Sequence, residues 1–263
     1  MPSGHYEFIR LPFGLSNSPA NFQRLMDTIL KNLVGTECYI YLDDCVIFSN
    51  TAEEHARKLE RVLQRFDQAN LQLHLGKCAI AQPKVKYLGF ELSDKGVSAT
   101  ADKVEAIKGY PKPKNARDVR AFIGLASFYR RLVPNFAEIA KPLTALTRKN
   151  QQFAWGPTQQ DAFDSLKRKL STTPVLAFPN FGLRFILTTD ASKVAVAAVL
   201  SQVQDGVERP IAFASRQKNT AEQSYTASES EMLALVWATK FFVAICLVAS
   251  SLPERPFSAH VSS

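Results

Sequence analysis

The sequence predicts an α/β (α+β) protein in which short strands and amphipathic helices form two successive parts. Two observations carry this prediction. In residues 38–48, two apolar strand-type runs flank Asp43-Asp44, which indicates a hairpin. After residue 183, three strand-type runs precede a long apolar segment with helical composition. With 263 residues, 46% of them hydrophobic, the chain is long enough for two small domains and has a globular composition.

The first part begins with a loop and a helix. Pro12 and Gly14 interrupt regular structure, and the segment from Asn17 to Pro19 is typical of a helix start. Apolar residues then recur at helical spacing, and the predicted buried face consists of Phe22, Leu25, Met26, Ile29 and Leu30.

A second helix follows the hairpin. Thr51 and Glu54 have the spacing of a capping box, which predicts that the helix begins directly after Thr51. Its predicted apolar face consists of Leu59, Val62, Leu63 and Phe66.

The rest of the chain alternates between strand and helix patterns. The predicted elements are a strand at 85–92, helices at 115–132 and 158–170, strands at 184–190, 194–202 and 209–215, and a long helix from 222 to about 245.

One apolar stretch has the length of a membrane span. Met232 to Leu252 is 21 residues long, but Lys240 lies near its middle, where a charge is costly in lipid. Glu229 and Glu231 lie just before it. We therefore favour a buried helix over a membrane span.

The positive charge is concentrated in one segment. The net charge is +8, and residues 101–150 hold 11 Lys and Arg against 4 Asp and Glu, whereas the flanking regions are close to neutral. A localised basic surface is suited to a polyanion such as nucleic acid. The alternative is an ordinary solvated basic face.

The cysteines and the amino-terminal residues indicate where in the cell the protein is expected. The four cysteines include no Cys-x-x-Cys pair, which favours a reducing compartment and argues against a zinc ribbon. Residues 1–5 are not followed by an apolar run, so they do not read as a signal peptide. We expect a cytoplasmic or nuclear protein that is not secreted.

Asp43 and Asp44 are the first candidate metal ligands. Adjacent carboxylates repel each other, and a hairpin turn normally favours Asn-Gly or Asp-Gly instead. A divalent cation removes the repulsion, and Mg²⁺ binds one or two carboxylates together with substrate phosphates. The pattern Tyr-x-Asp-Asp between apolar runs favours a metal site over the alternative, a solvated acidic turn.

Asp190 and Glu231 form a second acidic set. Asp190 ends an apolar strand, and Glu231 lies within the long helix that follows three strands. Taken singly, each residue is better explained as structural or solvent-facing. Together, in a strand-strand-strand-helix order, they are typical of a metal-dependent nuclease core.

Six motifs occur in the order of one known family: Leu11 to Gln23, Tyr41-Leu42-Asp43-Asp44, Tyr87-Leu88-Gly89-Phe90, Val119 to Leu125 with Tyr129-Arg130-Arg131, Thr189 to Ser192, and Glu229 to Ala234. With these motifs the chain resembles the reverse transcriptase and RNase H region of a gypsy-type (Metaviridae) LTR retrotransposon Pol polyprotein, truncated at both ends. The resemblance covers nearly all of residues 4–242.

The resemblance implies a partial right-hand polymerase palm and thumb followed by a partial RNase H-like β-β-β-α domain. The implied division is a palm at 1–96 without fingers and first catalytic strand, a thumb-like basic helical segment at 97–150, a connection at 151–178, a partial RNase H-like domain at 179–242 and a divergent tail at 243–263.

The resemblance also implies roles for individual residues. Asp43, Asp44, Asp190 and Glu231 would be catalytic and hold Mg²⁺ or Mn²⁺. The other implied contacts are Phe13, Gly14, Gln23 and Tyr41 with nucleotide or template, Leu88 and Gly89 as primer grip, and Arg117, Arg120, Arg130 and Arg131 with the duplex.

The implied function is RNA-directed DNA polymerisation by two-metal nucleotidyl transfer, with an RNase H module. The implied partners are an RNA template, a DNA primer and deoxynucleotides, with no membrane. The resemblance implies a third carboxylate at each acidic site. The third one of the polymerase site is expected before Gly4, and that of the RNase H site after residue 242, where the resemblance ends. Ala197 stands near a position where the family has glycine. The alternative is a catalytically incomplete retrotransposon remnant that only binds nucleic acid.

Overall fold

A computed structural model describes residues 4, 7–9, 12, 14–172, 174–243 and 245, together with the backbone of 258–261. The chain forms two compact units, residues 1–88 and 89–263. This division lies before residue 96, where the sequence placed the end of the palm. The mixture of helices and sheets confirms the predicted fold class.

The first unit contains two helices and three strands: α1 (Ser18–Ile29), β1 (Cys38–Tyr41), β2 (Asp44–Ile47), α2 (Ala52–Gln68) and β3 (Lys84–Tyr87). β1 and β2 pair antiparallel, with Tyr41 opposite Asp44, so the predicted hairpin is confirmed. α2 begins where the capping box predicted, because the Thr51 hydroxyl accepts the Glu54 N–H at 3.2 Å.

The core of this unit lies between the two helices and the inner face of the hairpin. It is made of Met26, Leu30, Leu33, Cys38, Val62 and Phe66. The prediction was wrong for Leu25 and Leu63, which are 47% and 40% exposed. Two four-residue strands are too narrow to cover the whole apolar face of either helix.

The second unit begins with a hairpin and four helices: β4 (Phe90–Ser93), β5 (Gly96–Ala99), α3 (Ala101–Lys108), α4 (Ala116–Phe128), α5 (Phe136–Ala145) and α6 (Pro157–Ser171). The helices enclose a core centred on Phe122, whose ring lies 4.6 Å from that of Phe163. Residues 175–177 join this helical part to the β4–β5 hairpin, since Leu176 and Val97 exchange backbone hydrogen bonds.

A four-stranded sheet and one helix complete the unit: β6 (Ile186–Ala191), β7 (Ala195–Gln204), β8 (Val207–Gln217), α7 (Ala227–Phe241) and β9 (Ser258–Val261). The sheet order is β8-β7-β6-β9, with β6, β7 and β8 antiparallel and β9 parallel to β6. The predicted order of three strands and a helix is confirmed. The strand β9 was not predicted.

The sheet packs on helices through both faces. α7 covers one face, with Ala238 and Phe242 against Leu187 and Leu200. On the other side, α5 docks on β8 through polar groups. The Ala137 N–H donates to the Ser215 hydroxyl at 2.9 Å, and the Gln217 side-chain amide donates to the Thr144 hydroxyl at 2.8 Å.

Two predicted boundaries were wrong. The strand predicted at 85–92 is broken between β3 and β4, because Leu88 and Gly89 both have positive φ angles of 49° and 80°. The long helix begins at Ala227 and not at Glu222, because Thr226 and Glu229 form its capping box. Glu222 instead pairs with Arg216, at 2.6 and 2.9 Å.

Two helix ends also differ from the sequence prediction. α4 ends at Phe128 and is followed by a separate 3₁₀ turn at Arg130–Leu132. α6 begins at Pro157, because Gly156 and the side chain of Gln159 form its start.

Within the residues that the structure describes, no helix has the length and apolar character needed to cross a membrane.

Substitution of Gly96 tests the close contact between the β4–β5 hairpin and Leu176. Its φ is +126°, and a Cβ there would lie 2.0 Å from the carbonyl oxygen of Leu176. We expect Gly96→Ala to lower the free energy of unfolding by about 2 to 4 kcal/mol, measured by urea denaturation. Gly206→Ala is the matched control, because its φ is also positive but nothing lies within 4 Å. It should cost about 1 kcal/mol. Equal losses for the two variants would contradict the assigned contact.

Candidate functional site

The aspartate pair lies at the tip of the β1–β2 hairpin. Tyr41 pairs with Asp44, so only Leu42 and Asp43 form the turn. Leu42 has a φ of 54°, which a side chain other than glycine adopts only under constraint. Both carboxylates are exposed. Within the described residues, neither makes a hydrogen bond or ion pair, so both are available to a ligand.

Gln23 supplies the constraint on this turn. Its side-chain oxygen accepts the Leu42 N–H at 2.6 Å, and its amide group donates to Asp27 at 2.9 Å. α1 therefore holds the turn that carries Asp43. The resemblance assigned Gln23 to nucleotide or template, and sequence reasoning missed this contact because it spans 19 positions.

Tyr41 and Gly14 are the other described residues that the resemblance assigned to nucleotide or template. Tyr41 is 54% exposed beside the aspartate pair. Gly14 has a φ of +92°, and nothing lies within 4 Å of the place where its Cβ would be, so a ligand could approach its backbone closely. Phe13 lies outside the described residues.

Two thiols of the hairpin strands and the tyrosine Tyr87 also influence one another. The Cys45 and Cys38 thiols are hydrogen-bonded, which lowers the pKa of Cys38 and raises that of Cys45. Burial raises the pKa of Tyr87, and the neighbouring Cys45 and Asp44 raise it further. Tyr87 is thus close enough to the tip to sense the charge of Asp44.

The second acidic set lies on two elements that pack together. Asp190 is exposed near the end of β6, and Glu231 is half-buried on α7, which contacts β6. Glu229 is used differently, because hydrogen bonds from Thr226 hold its carboxylate at the helix start and lower its pKa. Glu231 is therefore the carboxylate of this helix start that remains available.

Asp190 has an unusual neighbour for an acidic site. Its cross-strand partner is Ala197, which is buried. Directly paired residues in a sheet project to the same face, so the Ala197 methyl stands beside the Asp190 carboxylate. This is the position that the resemblance associated with glycine.

Each acidic set offers two carboxylates. Among the described residues, no group of three or more His, Cys, Asp or Glu side chains lies close enough together to hold a metal. Two carboxylates with phosphate oxygens from a substrate are nevertheless a suitable donor set for Mg²⁺. Asp43 and Asp44 therefore fit a divalent cation that binds together with its substrate.

The predicted primer-grip residues form a turn that reaches α4. Leu88 is 39% exposed, and the Gly89 carbonyl accepts the Tyr129 hydroxyl at 2.9 Å. A Cβ on Gly89 would lie 2.9 Å from the Phe128 ring. Phe128 stacks on Phe90 at 5.4 Å and is 52% exposed, so it presents an aromatic face next to the turn.

The four predicted duplex-binding arginines do not form one group. Arg117 and Arg120 lie one turn apart on α4, Arg130 and Arg131 follow it, and all four are exposed. Arg120 donates to the Thr147 carbonyl at 3.3 Å. Arg130 is engaged more closely within the unit. Its guanidinium donates to the Ser215 carbonyl and lies 5.7 Å from the Phe136 ring, and desolvation lowers its pKa.

Comparisons with known proteins define the class of protein. Residues 1–92 match the family model described as "Reverse transcriptase (RNA-dependent DNA polymerase)". Residues 155–249 match "RNase H-like domain found in reverse transcriptase". The aspartate hairpin and the acidic sheet-helix pair thus lie in a reverse transcriptase domain and an RNase H-like domain, respectively.

The relatives identify the particular family. The chain is 44% identical over 241 residues to the retrovirus-related Pol polyprotein from transposon 297 of Drosophila melanogaster, covering 91% of this chain and 22% of that protein. It is 40% identical over 247 residues to that from transposon gypsy of the same organism, covering 89% and 24%. The chain belongs to the Pol polyproteins of gypsy-type LTR retrotransposons, an enzyme family, and spans about a quarter of their length.

A solved structure supports the fold. The foamy viral protease-reverse transcriptase in complex with an RNA/DNA hybrid superposes with a TM-score of 0.81 at 26% identity. The match covers 96% of this chain and 33% of that chain.

The hydrogen bond from Leu42 to Gln23 can be tested directly. In Gln23→Leu, the Leu42 N–H loses its acceptor, and we expect its hydrogen exchange to accelerate roughly tenfold. Site-resolved exchange measured by NMR would show this. Gln64→Leu is the control, because Gln64 is an exposed side chain of α2 whose amide donates to Glu60 of the same helix. Unchanged Leu42 exchange in Gln23→Leu would show that the turn is held without Gln23.

Proposed function

We propose that this chain is the part of a reverse transcriptase that carries RNA-directed DNA polymerase chemistry and an attached RNase H module. The observation that carries the proposal is the exposed Asp43-Asp44 pair on a turn held by Gln23, in a chain whose relatives are Pol polyproteins. The substrates are an RNA template, a DNA primer and deoxynucleotides.

Asp43 and Asp44 would hold Mg²⁺ or Mn²⁺. When bound with a nucleotide, divalent cations stabilise the attacking and leaving oxygens of a phosphoryl transfer. The chain's own contribution is positional: the Leu42–Asp43 turn fixes where the carboxylates project, and Gln23 prevents the turn from relaxing. Tyr41 lies exposed beside the carboxylates, where it can contact the template or nucleotide.

Asp190 and Glu231 have the corresponding role in the RNase H module. The packing of α7 on β6 brings their elements together, and the Thr226–Glu229 cap fixes the start of the helix. Cleavage of the RNA strand of a hybrid is the proposed activity. The Ala197 methyl beside Asp190 limits the space in which that carboxylate can reorient.

α4 is the proposed nucleic-acid surface. Arg117 and Arg120 lie on it with Gly124 and Phe128, and no other group lies within 4 Å of where a Gly124 Cβ would be. An exposed glycine in a helix costs stability, and here it leaves room for a close approach of the duplex. The foamy viral relative whose structure contains an RNA/DNA hybrid supports this choice of ligand. We also propose a cytoplasmic or nuclear location.

Primer extension on an RNA template, with Mg²⁺ and separately with Mn²⁺, tests the polymerase proposal. We expect slow extension that is abolished in Asp43→Asn/Asp44→Asn, because the described residues supply only two carboxylates at this site. Asp67→Asn removes an exposed acid of α2 and is the control. Extension that survives the double substitution would refute the assigned site. Salt-sensitive hybrid binding without extension would favour the alternative, a nucleic-acid-binding remnant.

The basic surface should respond to salt. If about five phosphates are neutralised, log K for an RNA–DNA hybrid should fall with log salt at a slope of roughly −4 to −5. Removing a phosphate contact in Arg117→Ala or Arg120→Ala should reduce the slope by about 1. Arg184→Ala, an exposed arginine before β6, is the control and should leave the slope unchanged. Fluorescence anisotropy at several salt concentrations measures these slopes, and a wild-type slope near zero would exclude phosphate-based binding.

A further inference from the structure

The aspartate hairpin depends on contacts outside its own strands. In the described part of the chain, β1 and β2 form a sheet of two strands, each four residues long. Isolated hairpins of this size are marginally stable in water. Gln23 holds the tip and the apolar core holds the inner face, so the remaining question is what holds the base, where the two strands leave the hairpin.

Lys58 of α2 lies at that base and is buried, with 9% of its surface exposed. Its ammonium group donates to the Phe48 carbonyl at 3.0 Å and to the Thr36 carbonyl at 3.4 Å. It also pairs with the Glu54 carboxylate at 2.8 Å and lies 5.0 Å from the centre of the Phe48 ring. Three oxygen acceptors account for all three donors of the ammonium group.

The positions of the two carbonyls in the chain show which segment the Lys58 contacts restrain. Thr36 lies just before β1 and Phe48 just after β2, so one ammonium group binds the chain on both sides of the hairpin. The Phe48 N–H donates to the Glu37 carbonyl at 3.3 Å, which closes the same base. Lysine is seldom buried, and a surface lysine of a helix would not need three fixed acceptors.

A second cation of α2 reaches the same base but is placed differently. Arg61 binds the Glu37 carboxylate through two nitrogen atoms, both at 2.9 Å, yet its side chain is 52% exposed. Exposed ion pairs contribute little, because water and salt screen them. The Lys58 contacts lie out of solvent and involve backbone groups of the hairpin, so they are the stronger restraint.

We propose that Lys58 is a positioning residue for the Asp43-Asp44 pair, and that it fixes the base of the hairpin while Gln23 fixes its tip. The inference rests on the proposed function only in giving the aspartates a metal to bind. The two restraints act at opposite ends of short strands. Releasing the base would let the hairpin twist about its tip contact and spread the positions of the two carboxylates.

The expected effect is local. Lys58→Met retains the apolar stem and the helix but leaves the Thr36 and Phe48 carbonyls without the ammonium donor. We expect the amides of Cys38–Tyr41 and Asp44–Ile47 to exchange roughly tenfold faster, while amides of α4 in the second unit keep their rates. Lys58→Gln, a shorter side chain that still donates hydrogen bonds, should give a smaller increase and provides a second variant if Lys58→Met does not fold.

Metal binding is measured on the same full-length chains. Terbium(III) is titrated as the probe, and its luminescence is followed with excitation of tyrosine, since Tyr41 adjoins the aspartates. We expect the dissociation constant to rise roughly three- to tenfold in Lys58→Met. Arg65→Met is the matched control, because Arg65 is an exposed cation on the same helix.

The outcomes separate this inference from the proposed function. Unchanged hairpin exchange in a folded Lys58→Met or Lys58→Gln chain would overturn the positioning role. So would faster exchange with unchanged terbium affinity, provided that Asp43→Asn/Asp44→Asn abolishes binding in the wild-type background. Terbium binding that survives this double substitution refutes the metal site itself, and hairpin exchange then decides alone whether Lys58 restrains the hairpin.

Discussion

The conformation of the two-residue turn at the aspartate pair is the constraint on which the candidate site of the first unit depends. The turn is held in place because Leu42 has a left-handed conformation and its N–H is bound to Gln23. α1 and α2 are both needed for this: one holds the turn, and the other holds the base of the hairpin through Lys58. The small core beneath them serves chiefly to keep these helices against the hairpin.

The second unit is held together by buried apolar cores and not by one strained turn. Its helical core and its sheet-helix core are each continuous, and a polar seam between α5 and β8 joins the helical part to the sheet. Arg130 shows that a basic residue can be used for packing within the unit instead of for nucleic acid. Its charge belongs to the basic segment, but its guanidinium is used by the Ser215 carbonyl in the seam.

Features set by neighbouring residues could be predicted from the sequence. The aspartate hairpin and the cap at Thr51 are local patterns, and each forms where expected. The start of the last helix was missed although its own signal, Thr226 with Glu229, is equally local. The Asp205-Gly206 turn between β7 and β8 is a further local signal that was available, since both residues have positive φ.

Contacts between distant residues could not be predicted in this way. Gln23 with Leu42, Lys58 with Thr36 and Arg130 with Ser215 join elements whose packing no periodicity reveals. The break at Leu88 was missed although the sequence carries a sign of it: the apolar positions change from odd numbers, Val85 and Tyr87, to even numbers, Phe90 and Leu92, where Leu88 and Gly89 have positive φ. For the site, the resemblance supplied the residues, and the structure supplied what holds them.

The polar seam between α5 and β8 has a consequence for how a nucleic acid would be handled. Because Ser215 and Gln217 bind α5 at several points, the arginine-bearing helical part and the acidic sheet belong to one body. A duplex gripped by the former would meet the latter at a constant number of base pairs along its length. The dimensions of the protein, and not the sequence of the RNA, would then set the distance between the bound part of the duplex and the cut.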